Sequence, residues 1–234
     1  MKHDPLIVAL DVPNWDEAYK LITQLGEQVT YYKVGLQLFT ACGPRVVRHL
    51  ADLNKKVFLD LKFKDIPNTV AESVASAAKI GAKMCNIHLD GGSHMIRAAV
   101  ESAFRNHILL IGVTVLTSVV EDDLQKIGIR FSIEKQVELL ASIAKDEEVP
   151  ALVCGAPQIA PLLKRFGDFF TLVVPGTRSA GVAVNDQKQV MTPEAAIAAF
   201  GGRPNYLVIG REVTQAFSPF EAMIGLRNRL HLVF

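Results

Sequence analysis

Short apolar runs recur along the chain, and each is followed by a stretch whose apolar residues fall three and four apart. Leu6-Ile7-Val8-Ala9-Leu10 is a continuous apolar run of buried-strand length, ending at Asp11. Asn14 then stands where it can cap a helix reaching to about residue 25, with Glu17 as a capping-box partner. The same pattern predicts further strands over 31–34, 57–62, 84–89, 108–116, 151–154, 170–174 and 206–209. Between them it predicts helices opening at Gly43-Pro44 and at Pro67, and others over 95–104, 132–145, 157–165, 193–200 and 220–230. Proline is tolerated in a first helical turn, and Val70, Val74, Ala77 and Ala78 form an apolar stripe behind Pro67.

Eight strand–helix units follow one another without a linker, a low-complexity segment or an internal repeat. Such alternation implies parallel strands joined by helical crossovers. Eight units in 234 residues fit a (β/α)8 TIM barrel, an α/β fold forming one domain over 1–234. A doubly wound open sheet is the second option. The first βα turn, Asp11-Val12-Pro13-Asn14, lacks the GxGxxG that would favour it.

Half of the residues are hydrophobic, enough for a substantial core without disulfides or metals. The 25 basic and 24 acidic residues leave a net charge of +1, without the basic excess of a nucleic-acid or membrane-surface protein. Cys42, Cys85 and Cys154 are few, odd in number and without CxxC spacing, which suits core positions in a reducing compartment. Met1-Lys2-His3-Asp4-Pro5 leads into the first strand without a signal-peptide stretch, and no apolar run approaches the roughly 18 residues of a membrane span. A cytoplasmic location is therefore expected.

Charge appears where the pattern predicts strand ends. The run Asp60-Leu61-Lys62-Phe63-Lys64-Asp65-Ile66-Pro67-Asn68-Thr69 leaves the third strand, and strand alternation turns Asp60 and Lys62 to one face. An ion pair beside a core costs free energy unless it is held and satisfied, which marks a candidate site. Asp11, Lys33, Thr117 and Arg211 also fall at or just beyond strand ends, the catalytic face of a barrel. Each has an ordinary structural use: Asp65 as a helix cap, Lys33 as an exposed lysine, Asp11 as a turn former. Their coincidence on one rim favours a site. The loops after strands 7 and 8 are the usual phosphate site of this fold. Glycines and the guanidinium groups of Arg178 and Arg211 there suit a phosphate dianion. The stretch over about 176–191, with Arg178 and Gln187, is long enough for a lid that closes on phosphate. His88, at the end of the fourth strand, is expected to be a hydrogen-bonded structural residue, and its spacing to His94 matches no metal motif. Trp15 is expected to pack.

The decamer at 60–69 closely resembles the DxKxxDIPNT signature of the orotidine 5′-phosphate decarboxylases. The resemblance extends in order through Leu10-Asp11, Tyr32-Lys33-Val34-Gly35, Val113-Thr114-Val115-Leu116-Thr117-Ser118, Pro175-Gly176-Thr177-Arg178 and Val208-Ile209-Gly210-Arg211. Thr177 departs from it, standing where an apolar residue is commoner. The resemblance implies a (β/α)8 barrel, usually a homodimer, that converts orotidine 5′-monophosphate (OMP) to UMP and CO2 without cofactor or metal, the last step of de novo pyrimidine (UMP) biosynthesis. It implies Lys62 as proton donor to C6 of the pyrimidine and Asp60 beside the departing carboxylate. Lys33 would hold Asp60 and contact the ribose, and Lys33, Asp60, Lys62 and Asp65 would form an alternating Lys-Asp-Lys-Asp network that keeps Lys62 charged. Asp65, with Ile66 and Thr69, would reach the partner subunit's site. Asp11 would bind ribose hydroxyls, Thr117 the base, and Gln187, Arg178, Arg211 and the Gly210 backbone the phosphate. The rest of the motif, Leu61, Phe63, Lys64, Pro67 and Asn68, is expected along the substrate site.

Two rival functions are considered. One is a Mg²⁺-dependent decarboxylase of a sugar-acid phosphate, which shares DxK but is not normally followed by IPNT. The other is a non-catalytic nucleotide-phosphate sensor, which would be expected to lose Asp60 or Lys62.

Overall fold

A computed structural model describes residues 3–177, 179 and 191–232. Eight strands form one closed parallel barrel in chain order: β1 Leu6–Ala9, β2 Tyr31–Gly35, β3 Lys56–Phe63, β4 Met84–His88, β5 Leu109–Val113, β6 Ala151–Val153, β7 Thr171–Pro175 and β8 Tyr206–Ile209. The barrel closes where β1 pairs with β8, Ile7 opposite Val208.

Two apolar clusters follow from the period-two alternation of the strands. Ile7, Ala9, Phe58, Met84, Ile111, Ala151, Val173 and Val208 fill the barrel interior. Val8, Val57, Leu59, Cys85, Ile87, Leu110 and Leu172 face outward into the larger cluster shared with the helices. The barrel is thus plugged by side chains below the level of the charged residues, which is why its mouth is a cup and not a pore.

The helices are α1 Trp15–Leu25, α2 Leu36–Cys42, α3 Arg45–Asp52, α4 Pro67–Lys79, α5 Ser93–Arg105, α6 Glu121–Lys126, α7 Ile133–Asp146, α8 Ile159–Phe166, α9 Pro193–Phe200, α10 Arg211–Thr214 and α11 Pro219–Arg229. Asn14 caps α1, its side chain accepting from the Glu17 amide at 2.9 Å. Glu17 departs from the expected capping box by taking the Asn14 side-chain amide at 3.3 Å.

Three short helices go beyond the sequence pattern: α2, α6 and α10. Each is too short to show a helical period. α2 ends at Gly43, whose φ of +65° stops it, so the helix expected from Gly43-Pro44 is the separate α3. β5 is shorter than the apolar run over 108–116 suggests. Its neighbour β6 ends at Val153, whose carbonyl accepts from both the amide and the hydroxyl of Thr114. Beyond that point no neighbouring strand remains to extend the ladder.

Candidate active site

The charged residues converge because β3 is irregular. Leu59 pairs with Cys85, and the next pairing is Phe63 with Ile87. Residues 60, 61 and 62 are therefore opposed by Asn86 alone, an enlarged form of the β-bulge. Within the bulge Lys62 adopts φ +55°, a conformation that costs an L-residue roughly 1–2 kcal/mol. Asn86 fills the gap: its Oδ1 accepts from the Lys62 amide at 2.8 Å, and its Nδ2 donates to Asp60 Oδ1 at 2.7 Å.

The side chains then form a chain of alternating charge. Lys62 Nζ donates to Asp60 Oδ1 at 2.6 Å. Lys33 Nζ lies 3.3 Å from Asp60 Oδ2 and donates to Asp11 Oδ1 at 2.9 Å. Lys33 and Asp60 are only 12% and 13% exposed. Burial pushes the Asp60 carboxyl up, but Lys33 and Lys62 outweigh it and hold the group below the ordinary aspartate value. Burial also works against the Lys33 ammonium, but Asp60 and Asp11 prevail and hold it above the ordinary lysine value. Both groups are ionised at neutral pH.

Asp11, Lys33, Asp60 and Lys62 line a cavity of ≈ 500 Å³ at the C-terminal end of the barrel, in the size range of ligand pockets. Its floor includes Ala9, Phe58, Val173 and Val208, the top of the interior packing. Thr117 comes from the loop after β5, and Gly210 and Arg211 from the end of β8, three strands round the ring from β3. The structure thus gathers Asp11, Lys33, Asp60, Lys62, Thr117, Gly210 and Arg211 at one cavity.

The rest of the decamer stands elsewhere. Leu61 and Phe63 pack outward against the helix layer, so they do not line the cavity as the motif reading expects. Alternation sends them to the opposite face from Asp60 and Lys62. Lys64 pairs with Asp90 at 2.8 Å. Asp65 is exposed, its carboxylate accepting from the Ile66 amide at 2.7 Å. Within one chain the expected network therefore lacks its Asp65 end: that carboxylate turns to the Ile66 amide and not to Lys62, and the fourth charge is Asp11, at the Lys33 end. Ile66 is 67% exposed, and Pro67, Asn68 and Thr69 are exposed with it. Arg178 and Gln187, and most of the stretch over 176–191, lie outside the described residues.

His88 does not line the cavity, and its Nδ1 is 3.8 Å from Asp90. Burial pushes its pKa down and outweighs the opposing pull of Asp90, with Lys64 and Lys62 adding to the effect. Burial pushes the Cys85 and Cys154 thiols up to about 12, so neither supplies a thiolate at neutral pH. Among the described residues no three His, Cys, Asp or Glu side chains gather as a metal site.

Sequence reasoning missed Asn86. It lies in an apolar strand, and its signal was parity: it shares the inward face with Met84, as Asp60 shares that of Phe58. It also missed the ties around Arg211. The Arg229 guanidinium donates to Glu212 at 2.9 Å and to Glu194 at 2.8 Å, linking α11 to α10 and α9. Ser179, four residues beyond the end of β7, hydrogen-bonds the same Glu212 through its hydroxyl.

Comparison with known proteins gives a consistent result. The family profile described as "Orotidine 5'-phosphate decarboxylase / HUMPS family" matches residues 4–223. The orotidine 5′-phosphate decarboxylase of Idiomarina loihiensis is 47% identical over 216 residues, covering 92% of each chain. That of Saccharophagus degradans is 41% identical over 223 residues, covering 94% of this chain and 92% of its own. The crystal structure of orotidine 5′-phosphate decarboxylase from Lactobacillus acidophilus superposes with a TM-score of 0.85 at 32% identity, covering 97% of this chain and 98% of that one. With the profile spanning nearly the whole chain and relatives this similar, the chain belongs to the orotidine 5′-phosphate decarboxylase / HUMPS family.

Proposed function

We propose that this chain decarboxylates orotidine 5′-monophosphate to UMP and CO2, without cofactor, with Lys62 as the proton donor. The observation that carries this reading is the alternating Asp11–Lys33–Asp60–Lys62 chain lining a cavity that Arg211 also lines. Breaking the C6–carboxylate bond leaves an electron pair in the plane of the pyrimidine, where the ring π system cannot spread it. Stabilisation must then be electrostatic, from fixed charge close to C6. A lysine ammonium held 2.6 Å from Asp60 supplies that charge, and its N–H supplies the proton that replaces CO2 on C6. Solvent returns a proton to Lys62, so one proton is consumed per turnover.

Asp60 already accepts from Lys62 and Asn86 and pairs with Lys33, which leaves it little freedom to turn away. Substrate therefore meets a pre-arranged field, and rigidity of this kind is what electrostatic catalysis needs. In this reading Asp11 and Lys33 bind ribose hydroxyls, Thr117 the base, and Gly210 and Arg211 the phosphate, a division supported by their lining one cavity. Arg178 and Gln187 belong to the phosphate end in the same reading. Remote phosphate binding can then hold the base against the charged wall.

The exposed Asp65, Ile66 and Thr69 are proposed to complete the site of a second copy of the chain, making a homodimer. A cytoplasmic location is proposed with it. No helix among the described residues is long and apolar enough to cross a membrane.

The test is the loss of orotidylate absorbance on adding purified protein, with and without EDTA. Turnover is expected in both, and Lys62→Ala is expected to lower it at least about 10⁴-fold while UMP still binds. EDTA sensitivity would favour the metal-dependent rival, and full activity in Lys62→Ala would remove the proton-donor role.

A further inference from the structure

We propose that Asn86 is a positioning residue for this reaction: its side-chain amide locks the Asp60 carboxylate and the Lys62 main chain in one register, and so aims the Lys62 ammonium. The inference rests on the reading of Lys62 as proton donor.

Asn86 is fully buried, on the inward face of β4. A buried primary amide is costly unless its donor and acceptor are both used. Here both are used within the candidate site. The Oδ1 takes the Lys62 amide, which the bulge has removed from the regular β3–β4 ladder. The Nδ2 takes Asp60 Oδ1, the same oxygen that receives the Lys62 ammonium. One side chain therefore fixes the backbone from which Lys62 springs and the carboxylate to which its tip is tethered.

The chemical requirement is narrow. Position 86 must accept from a main-chain N–H and donate to a carboxylate in the same rotamer, across a gap of one residue against three. Leucine would fill the volume and satisfy neither group. Aspartate would keep the acceptor but present a second negative charge where Asp60 needs a donor. Protonated aspartic acid would restore both functions, its carbonyl accepting and its hydroxyl donating. The Asn86→Asp variant is thus a pH-dependent copy of the wild type.

Asn86 does not touch the cavity, so it acts only through Lys62 and Asp60. A role confined to folding would change stability and leave the kinetics of the folded fraction unaltered. A positioning role changes kcat, because small misplacement of a reacting group can cost on the order of 100-fold. Binding of the ribose and phosphate, remote from Lys62, should be spared.

The experiment compares wild type, Asn86→Ala and Asn86→Asp for kcat, KM for OMP, UMP affinity and thermal midpoint. Asn86→Ala is expected to lose kcat about 100-fold with KM and UMP affinity within about threefold. Asn86→Asp is expected to be similarly impaired at pH 8, and its kcat relative to wild type should recover as pH falls towards 5. A second carboxylate against Asp60 raises the proton affinity of the pair, opposed by the Lys33 and Lys62 ammonium groups, so the recovery is read as a rise in relative kcat with falling pH. Asn86→Asp is isosteric, so it carries the test should Asn86→Ala not fold. Wild-type kcat in either folded variant, or an Asn86→Asp deficit that ignores pH, would overturn the proposal. Wild-type turnover, measured in the same series, tests the decarboxylase reading separately: without it both fall, and with it only the positioning role is at stake.

Discussion

Asp60 sits between two ammonium groups and an amide donor with little of its side chain exposed, so its ionisation is coupled to folding. Its pKa in the folded chain lies below the ordinary value of 3.8. A depressed carboxylate contributes stability above its unfolded value and loses it as pH falls through its folded value. Lys33 is the opposite case: its pKa is raised above 10.5, so its contribution is complete below that value and is lost as pH rises through the folded one. The network is therefore fully charged across the neutral range. The stability difference between wild type and Asp60→Asn should be constant from pH 5 to 8 and shrink as pH falls below about 3.8. Urea unfolding at stepped pH measures it, and a difference that stays constant into acid would refute the assignment. Space around this pair is also tight at Gly35, where an added Cβ would lie 2.9 Å from Lys33 Nζ and 3.3 Å from Asp11 Oδ1.

Elements at the opposite end of the barrel are tied by one buried arginine. Arg227, near the end of α11, donates from its guanidinium to the Gln28 carbonyl at 2.7 Å and to Asp4 at 2.7 Å. It thereby fastens the last helix to the approach to β1 and to the turn before β2. Arg227 and Asp4 side chains are 6% and 16% exposed, so removing the arginine leaves a largely buried carboxylate unpaired. Arg227→Leu should cost about 3 kcal/mol, read as a lowered denaturant midpoint. The folded fraction should keep its kcat, because the site lies at the other end of the strands. A shift below about 0.5 kcal/mol would show that the tie contributes little. Two residues further along α11, the Arg229 side chain reaches Glu212 and Glu194 and joins α9, α10 and α11. Arg211 is therefore carried on a short helix whose neighbour in sequence is anchored on both sides.

At the scale of the molecule, the closed barrel gathers residues from β1, β2, β3, the loop after β5 and β8 around one cavity, while Asp65 and Ile66 face outward. If Asp65 completes a neighbour's site, two inactive homodimers should complement each other. Mixing Asp65→Ala and Lys62→Ala proteins under subunit exchange creates one site with both residues intact, and up to about one quarter of wild-type activity is expected after random exchange of equal amounts. No recovery with exchange demonstrated by a tagged copy would rule out a shared site.

The order of eight strands and their connecting helices was legible in the chain, because alternation and helical spacing are local properties of neighbouring residues. So were Asp11, Lys33, Asp60, Lys62 and Arg211, because a barrel turns strand ends to one face and charge there is conspicuous. The short helices α2, α6 and α10 were not, since a turn or two of helix leaves no period to read. Nor could spacing show that Asp11 joins the network through Lys33 while Asp65 stands away from Lys62 within the chain, or that Leu61 and Phe63 turn to the helices. Asn86 is the clearest case. Its sequence context is that of an ordinary core strand, and its partners lie 24 and 26 residues away. Local pattern determined which strands form and which ends carry charge. Only the closed sheet, by setting three residues of β3 against one of β4, decided that Lys62, Asp60 and Asn86 meet. The register between two strands depends on how both pack in the barrel, and neither segment contains that information alone.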